Sequence, residues 1–525
     1  MATYASRPAW QVRARAVSRA RVAVPAGLGL LVVLSVLLRV SELGIGFWID
    51  EGLSVGIADR PLTAIPGVLH QDGSPPLYYA LLHVWMQVAG TSEAGARSLS
   101  LLFAALAVPA SWWAARALFG SRAGWMAAVL AATNPFLTQY GQEARMYALV
   151  ALLGTVACAC LGRAFTGEEA GSGRRSWALG GAAALAAMFY THNWALFFAA
   201  AWGGTWLVLV RRAQGEVRRE LLRTGLIAFG GALVLWLPWV PTVLDQAAHT
   251  GAPWSQTPSV SALLGVPGQL LGTMAQGVLA LTGGAGVAAL LTRSQGARAR
   301  TALALLAVGA LTVLLAWLVS QASPAWANRY LAVGLPPFLL AAAAGLAHAG
   351  RLGIAGLVIV TAMGLGNGAP ADKSNVRDVA EAITASVRPG DLVVSTQPEQ
   401  VPVLHVYLPA GLRFATLTGP VRDVGVTDWR DGTERLRAAS ARRDLGPLMD
   451  ALPVGRRLVL VTPIFADLRG WRAPWTAAVR LHSYEWEQHV SNDPRFHIVS
   501  VEPPPPVVEP GPIPVQATIY VKTRR

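Results

Sequence analysis

The chain has 525 residues, 53% hydrophobic and 14% charged, with a formal net charge of +14 and a mean hydropathy of +0.43. Soluble globular proteins carry roughly 25% charged residues, so the composition excludes an ordinary soluble domain and predicts a polytopic α-helical membrane protein. The basic excess lies in arginines between apolar runs, where the positive-inside rule accounts for it, and no basic face for nucleic acid is implied.

In chain order, Arg7, Arg13, Arg15, Arg19 and Arg21 precede "AGLGLLVVLSVLLRV" (26–40) with no small-residue cleavage site after it. This reads as a cytoplasmic basic N-terminus, 1–21, followed by an uncleaved anchor helix. A long connection, 41–96, comes next and holds "GFWIDEGLSVG", with the neighbouring acids Asp50 and Glu51. Its later part predicts a short amphipathic helix, a turn at "QDGSPP" and a second helix carrying Tyr78, Tyr79, His83 and Trp85, laid along the membrane in the aromatic interface zone. Apolar runs near 97–118, 123–137, 145–163, 177–191, 194–210, 224–240, 268–291, 302–320, 330–349 and 352–368 bring the expectation to about eleven spans. Cys158 and Cys160 share one of these runs, which indicates neither a disulfide framework nor a zinc cluster.

Alternate connections hold most of the arginines: Arg116 and Arg122, then Arg163, Arg174 and Arg175, then the 211–223 group, then Arg293, Arg298 and Arg300, then Arg351. These face the cytoplasm by the positive-inside rule. The opposite connections carry only Arg39, Arg60, Arg97, Arg145 and Arg329 before residue 370, and those few call for a separate explanation. After 370, "SNVRDVAEAITASVRPGDLVVST" reads as a helix, a Pro-Gly turn and a strand, and "RRLVLVTP", "FHIVSVE" and "ATIYVKTRR" as further strands. Residues 370–525 are therefore expected to form an extracytoplasmic α/β domain, with "EPPPPVVEPGPIP" (502–514) as an extended tether within it.

"WIDE" after the first span, "DGSPPLYY", "QEARMYAL" (142–149), "YTHNW" (190–194) and "NRYLAVGLPP" (328–337) together resemble the GT-C-fold glycosyltransferases. The resemblance is to bacterial relatives of the dolichyl-phosphate-mannose protein mannosyltransferases and of the lipid A aminoarabinose transferases, and it covers residues 20–370. Many of those relatives carry His-Pro-Pro where this chain has Ser74-Pro75-Pro76. The resemblance implies a GT-C transmembrane catalytic domain, 22–369. It further implies an inverting transfer of a sugar from a polyprenyl-phosphate carrier to a hydroxyl of a cell-envelope glycan, glycolipid or protein at the outer face of the plasma membrane.

A hydroxyl is a poor nucleophile near neutral pH, so a carboxylate that takes its proton during attack contributes roughly 100- to 10,000-fold. Asp50 is the expected base. Glu51 is expected beside it as a catalytic partner, with a metal-binding and a purely structural role both open. The departing phosphate needs positive charge or hydrogen-bond donors, for which Arg145, His192 and Arg329 are candidates. Asp72, Tyr78, Glu143, Tyr147 and Tyr330 complete the expected substrate-binding set, and "HTGAPW" (249–254) is a candidate part of an acceptor cleft. On position alone Arg145 and Arg329 could equally snorkel to lipid headgroups, Asp72 could be a turn residue, and Glu143 could pair with Arg145.

No cofactor is expected to be required. Asp50, Glu51, Asp72 and Glu143 would supply the hard oxygen donors suited to magnesium, manganese or calcium, but they form no dense cluster in the sequence. Expected partners are the lipid-linked donor, the acceptor and membrane lipids. A transporter or flippase for lipid-linked sugars is the alternative, for which inverted repeats would speak; no matching halves are seen. Only Lys373 and Lys522 among the 43 basic residues are lysine, a bias of GC-rich bacterial genomes that favours a cell-envelope acceptor.

Overall fold

The computed structural model describes residues 9–168, 171–293, 296–366, 373–465, 468–503 and 514–525. Residues 1–8 of the basic N-terminus, most of the proline-rich 502–514 segment and the expected domain boundary at 369–370 lie outside them.

The first helix, α1 (Ala9–Leu37), is followed by three short ones: α2 (Ile49–Ala58), α3 (Ile65–Asp72) and α4 (Leu77–Ala89). Then come α5 (Glu93–Phe119), α6 (Ser121–Ala132), α7 (Pro135–Tyr140), α8 (Tyr147–Thr166), α9 (Gly171–Phe189) and α10 (Ala195–Arg212). Local chemistry sets these boundaries. Ser92 accepts the Gly95 amide at the start of α5, and Asn134 accepts that of Leu137 at the start of α7 with Pro135 in the first turn. Gly73, at φ +91°, ends α3 in the left-handed region that glycine adopts without penalty, which makes the predicted turn before Ser74-Pro75-Pro76.

Helical residues cover the expected apolar runs, with breaks inside those over 268–291 and 330–349, and among the described residues five helices are long and apolar enough to cross a membrane: Glu93–Phe119, Tyr147–Thr166, Gly215–His249, Ala275–Thr292 and Ala297–Ala322. Shorter apolar helices run over Ala23–Leu37, Leu335–His348 and Gly350–Leu365. Large side chains such as Leu30, Leu226, Leu281 and Val358 point outward from these helices, as a hydrocarbon solvent allows. The run expected over 123–137 is divided, because α6 stops at Ala132 and Asn134 begins a new helix.

The C-terminal part is a six-stranded sheet of β1 (Leu392–Ser395), β2 (Arg413–Thr416), β3 (Gly419–Pro420), β4 (Arg457–Pro463), β5 (Phe496–Glu502) and β6 (Val515–Lys522). The order is β3-β2-β1-β4-β6-β5, with β1 parallel to both β2 and β4 and the remaining pairs antiparallel. Successive side chains alternate between faces. Leu392, Val394, Leu458 and Leu460 pack with the helix Pro474–Ser491 through Trp475, Val479 and Trp486. Val393, Val459, Val461, Ala517 and Ile519 join the core of the helical body.

The connection 41–96 folds as the short helices α2, α3 and α4. Its helix α2 is wedged between the helical body and the sheet domain. Gly52 and Gly56 make that approach feasible: a Cβ on Gly52 would stand 2.7 Å from the Val403 backbone nitrogen, and one on Gly56 would meet the Gly425 carbonyl. Arg60 pairs with Asp423 at 2.5 Å, and the Phe47 amide donates to the Tyr407 hydroxyl at 2.7 Å.

Candidate active site

Asp50 lies in the first turn of α2, where the helix dipole favours an acid. Its side chain is 15% exposed, and Oδ2 faces Arg329 Nε at 3.4 Å and Arg145 Nε at 3.9 Å. Arg145 comes from the short connection between α7 and α8. Its Nη1 donates to the Asp50 carbonyl (3.3 Å), Ser54 Oγ (3.2 Å) and the Tyr79 hydroxyl (3.3 Å). Arg329 comes from the turn before Leu335–His348, and its guanidinium lies over Trp254 at 4.9 Å and over Trp48 at 5.5 Å. Neither arginine runs out to a lipid surface: both are held against a carboxylate.

His192, in the turn between α9 and α10, accepts the Trp194 amide on Nδ1 at 3.1 Å, which leaves Nε2 to carry the proton. Burial, and then the nearby Arg145 and Arg329, push its pKa down to about 3 from 6.5. His192 is thus a neutral donor and not the cation that an imidazolium would be. Its ring packs on Tyr330 with centroids 4.7 Å apart, and Tyr147 lies 6.0 Å from His192 and 6.2 Å from Tyr330. Asp72, at the end of α3, is within electrostatic reach of Arg145 and Asp50, and burial raises its pKa.

Several buried polar atoms around Asp50 make no hydrogen bond among the described residues: Asp50 Oδ2, Asp72 Oδ2, Arg145 Nε, Arg329 Nε, the Tyr147 hydroxyl and Trp48 Nε1. An unbonded buried polar group carries a cost of about 1–3 kcal/mol. Such a cluster is what a site for a polar ligand requires.

Two expected residues are placed otherwise. Glu51 is fully enclosed, its carboxylate bound by Arg97 Nε at 2.7 Å and Nη2 at 2.6 Å and by the Ala144 amide at 2.8 Å. The Trp48 amide also donates to Oε2 at 3.4 Å, so all four acceptor sites of the carboxylate are taken and Glu51 ties the start of α2 to Arg97 of α5. One residue along a helix turns a side chain by about 100°, which separates it from Asp50. Tyr78 likewise points to α5 and bonds Ser100 Oγ at 3.0 Å, and its neighbour Tyr79 is the one that meets Arg145. Glu143 bonds Lys373 through Oε1, and burial raises its pKa although Lys373 opposes this.

Arg97 and Lys373 were not among the expected site residues. Arg97 had a signal as one of the few arginines on its side of the chain, and Lys373 as one of only two lysines. Lys373 Nζ also stands 4.4 Å from the Trp48 ring centre, so the segment leading into the sheet domain reaches the site. Among the described residues no group of three or more His, Cys, Asp or Glu side chains comes together as a metal site.

Comparison with solved structures decides the fold. ArnT from Cupriavidus metallidurans in the apo state matches over 84% of this chain and 93% of its own, with a TM-score of 0.58 at 14% identity. The chain has the GT-C fold. The same ArnT bound to undecaprenyl phosphate matches over 85% and 94% with a TM-score of 0.58 at 13% identity. The archaeal oligosaccharyltransferase AglB from Archaeoglobus fulgidus, in complex with an inhibitory peptide and a dolichol-phosphate, matches over 82% and 68% with a TM-score of 0.52 at 11% identity. Residues 73–241 match the dolichyl-phosphate-mannose-protein mannosyltransferase family model, a stretch of the GT-C body that runs from the Gly73 turn past His192. No curated protein matches the chain in sequence.

Proposed function

We propose that the chain is an inverting glycosyltransferase that moves a sugar from a polyprenyl-phosphate carrier to a hydroxyl of a cell-envelope glycan, glycolipid or protein at the outer face of the plasma membrane. The observation that carries this reading is the Asp50 carboxylate between two guanidinium groups, ringed by buried polar atoms without hydrogen bonds, on a GT-C fold. The related folds were solved with undecaprenyl phosphate and dolichol-phosphate, which supports a lipid-phosphate leaving group.

In this mechanism the acceptor oxygen attacks the anomeric carbon as its proton passes to Asp50. The bond from that carbon to the phosphate oxygen breaks with its electron pair staying on the phosphate. Arg145 and Arg329 meet the growing negative charge with planar, two-pronged donors suited to phosphate, and His192 Nε2 adds a neutral hydrogen bond. With those two cations in place the reaction is proposed to need no divalent metal.

Purified protein incubated with a radiolabelled undecaprenyl-phosphate sugar, an envelope glycan extract and EDTA tests the reading. Label should move from the lipid to the acceptor fraction. Intact donor after incubation, with or without added magnesium, would falsify it.

A further inference from the structure

The carboxyl ends of β1 and β2 open onto a cleft of about 530 Å³. From β1 the chain continues to β2 on one side of the sheet and later to β4 on the other. In open α/β sheets ligands bind outside the carboxyl ends of the strands at such a reversal. The walls fit that position: Pro398 and Val401 follow β1, Thr416 ends β2 and Thr418 follows it, Trp475 opens the helix after β4, and Gln71 of α3 closes the far side. The Trp429 amide donates to the Gln71 carbonyl at 2.8 Å and holds α3 there.

The lining defines a chemistry. Asp423 is neutralised by Arg60, and Asp428 is gripped by Arg430 through Nε and Nη2, each at 2.9 Å. Arg435 adds a second cation beside Asp428, and the exposed Arg422 has no ion pair among the described residues, so the cleft keeps a positive excess. Thr427 is 6% exposed, and its buried hydroxyl makes no hydrogen bond among the described residues. Hydroxyls, a carboxamide and guanidinium groups suit a polyhydroxylated anion.

The cleft also abuts the candidate active site. Gln71 and Pro398 face the cleft, and their chain neighbours Asp72 and Glu399 lie within electrostatic reach of Asp50. We infer that this cleft binds an acidic saccharide and serves as the acceptor subsite beside Asp50. Its place as an acceptor subsite rests on the proposed transferase function; the binding itself does not.

The test is calorimetric titration of the full-length protein in lipid nanodiscs with trigalacturonate, neutral maltotriose and inorganic phosphate. Trigalacturonate should bind about 10-fold or more tighter than either of the others. Arg422→Glu and Thr427→Val should each weaken it by about 10-fold, the scale of one lost hydrogen bond to a charged group. The titration is run without a sugar donor and reads binding alone, which separates failure of this inference from failure of the transfer reading. Equal binding of maltotriose would remove the anionic recognition, and equal binding of phosphate the saccharide recognition. Unchanged binding by both cleft variants would place the ligand elsewhere. Any of these overturns the inference.

Discussion

Two adjacent acids on one helix have different surroundings, Asp50 between two arginines and Glu51 enclosed by Arg97 and backbone amides. Asp50→Asn keeps the shape but removes the basic oxygen, so transfer should fall at least about 100-fold with the melting temperature kept. Glu51→Gln leaves Arg97 buried without its counter-ion, at a cost of about 3–5 kcal/mol, and should show first as a lower melting temperature. Equal stability and equal turnover in the two variants would sink the division of roles. Arg145→Lys and Arg329→Lys keep the charge but lose the planar fork; each should raise donor KM or lower kcat by about 10-fold, and wild-type kinetics in both would leave the arginines structural. His192 supplies a pH test. Its folded pKa of about 3 is below the unfolded 6.5, so the unfolded chain binds the extra proton and stability is lost as pH falls through that window. At pH 5 this amounts to about 2 kcal/mol relative to pH 8. Buried Asp72 and Glu143 are shifted upward and act with the opposite sign, so the informative quantity is the difference between wild type and His192→Gln. Melting curves at pH 8 and pH 5 should show the variant losing less; parallel losses would mean that His192 is already charged.

At the level of elements, α2 is a short rod held at both ends. Arg97 grips the residues before it, donating to the Leu43 and Gly46 carbonyls at 3.0 Å, and the sheet domain presses on its glycine face. The position of Asp50 therefore depends on packing well away from the chemistry. Gly56→Ala adds a Cβ against the Gly425 carbonyl, which neither backbone can avoid without moving. Overpacking of this kind costs about 1–3 kcal/mol. The variant should lose thermal stability and kcat together, measured by thermal shift and donor turnover. Wild-type kcat at a lowered melting temperature would show that α2 tolerates displacement.

At the scale of the whole molecule, the sheet domain shares one apolar core with the helical body through Val393, Val459, Val461 and Ile519. It reaches the candidate site through Lys373, which bonds Glu143 and stands over Trp48, and it carries the cleft that Gln71 closes. The arginine distribution predicts the sidedness, with the 211–223 connection expected in the cytoplasm and the sheet domain expected outside. Arg437→Cys and Arg218→Cys place thiols at exposed positions, and the native Cys158 and Cys160 are buried, which keeps background labelling low. In intact cells an impermeant maleimide should label Arg437→Cys alone. Labelling of Arg218→Cys with protection at Arg437→Cys would invert the orientation.

The sequence by itself determined the helical membrane class, the positions of the apolar helices and the helix-and-strand character of the last third. Those properties follow from hydropathy, periodicity and turn residues, which are local. The strands around "LVVST", "RRLVLVTP", "FHIVSVE" and "ATIYVKTRR" were legible for that reason, whereas β2 and β3 span four and two residues and exist only through their pairing with neighbours. The motif residues Asp50, Asp72, Arg145, His192 and Arg329 could be picked out as polar groups on otherwise apolar connections, but their meeting point could not. Only the tertiary structure decided that Asp50 is open and Glu51 closed, that Tyr79 and not Tyr78 meets Arg145, and that Lys373 enters from the far domain. Each of those depends on which partner approaches from elsewhere in the chain, 46 residues away for Arg97 and Glu51 and 230 for Lys373 and Glu143, and in a buried setting it is the partner that decides how a charged group is held.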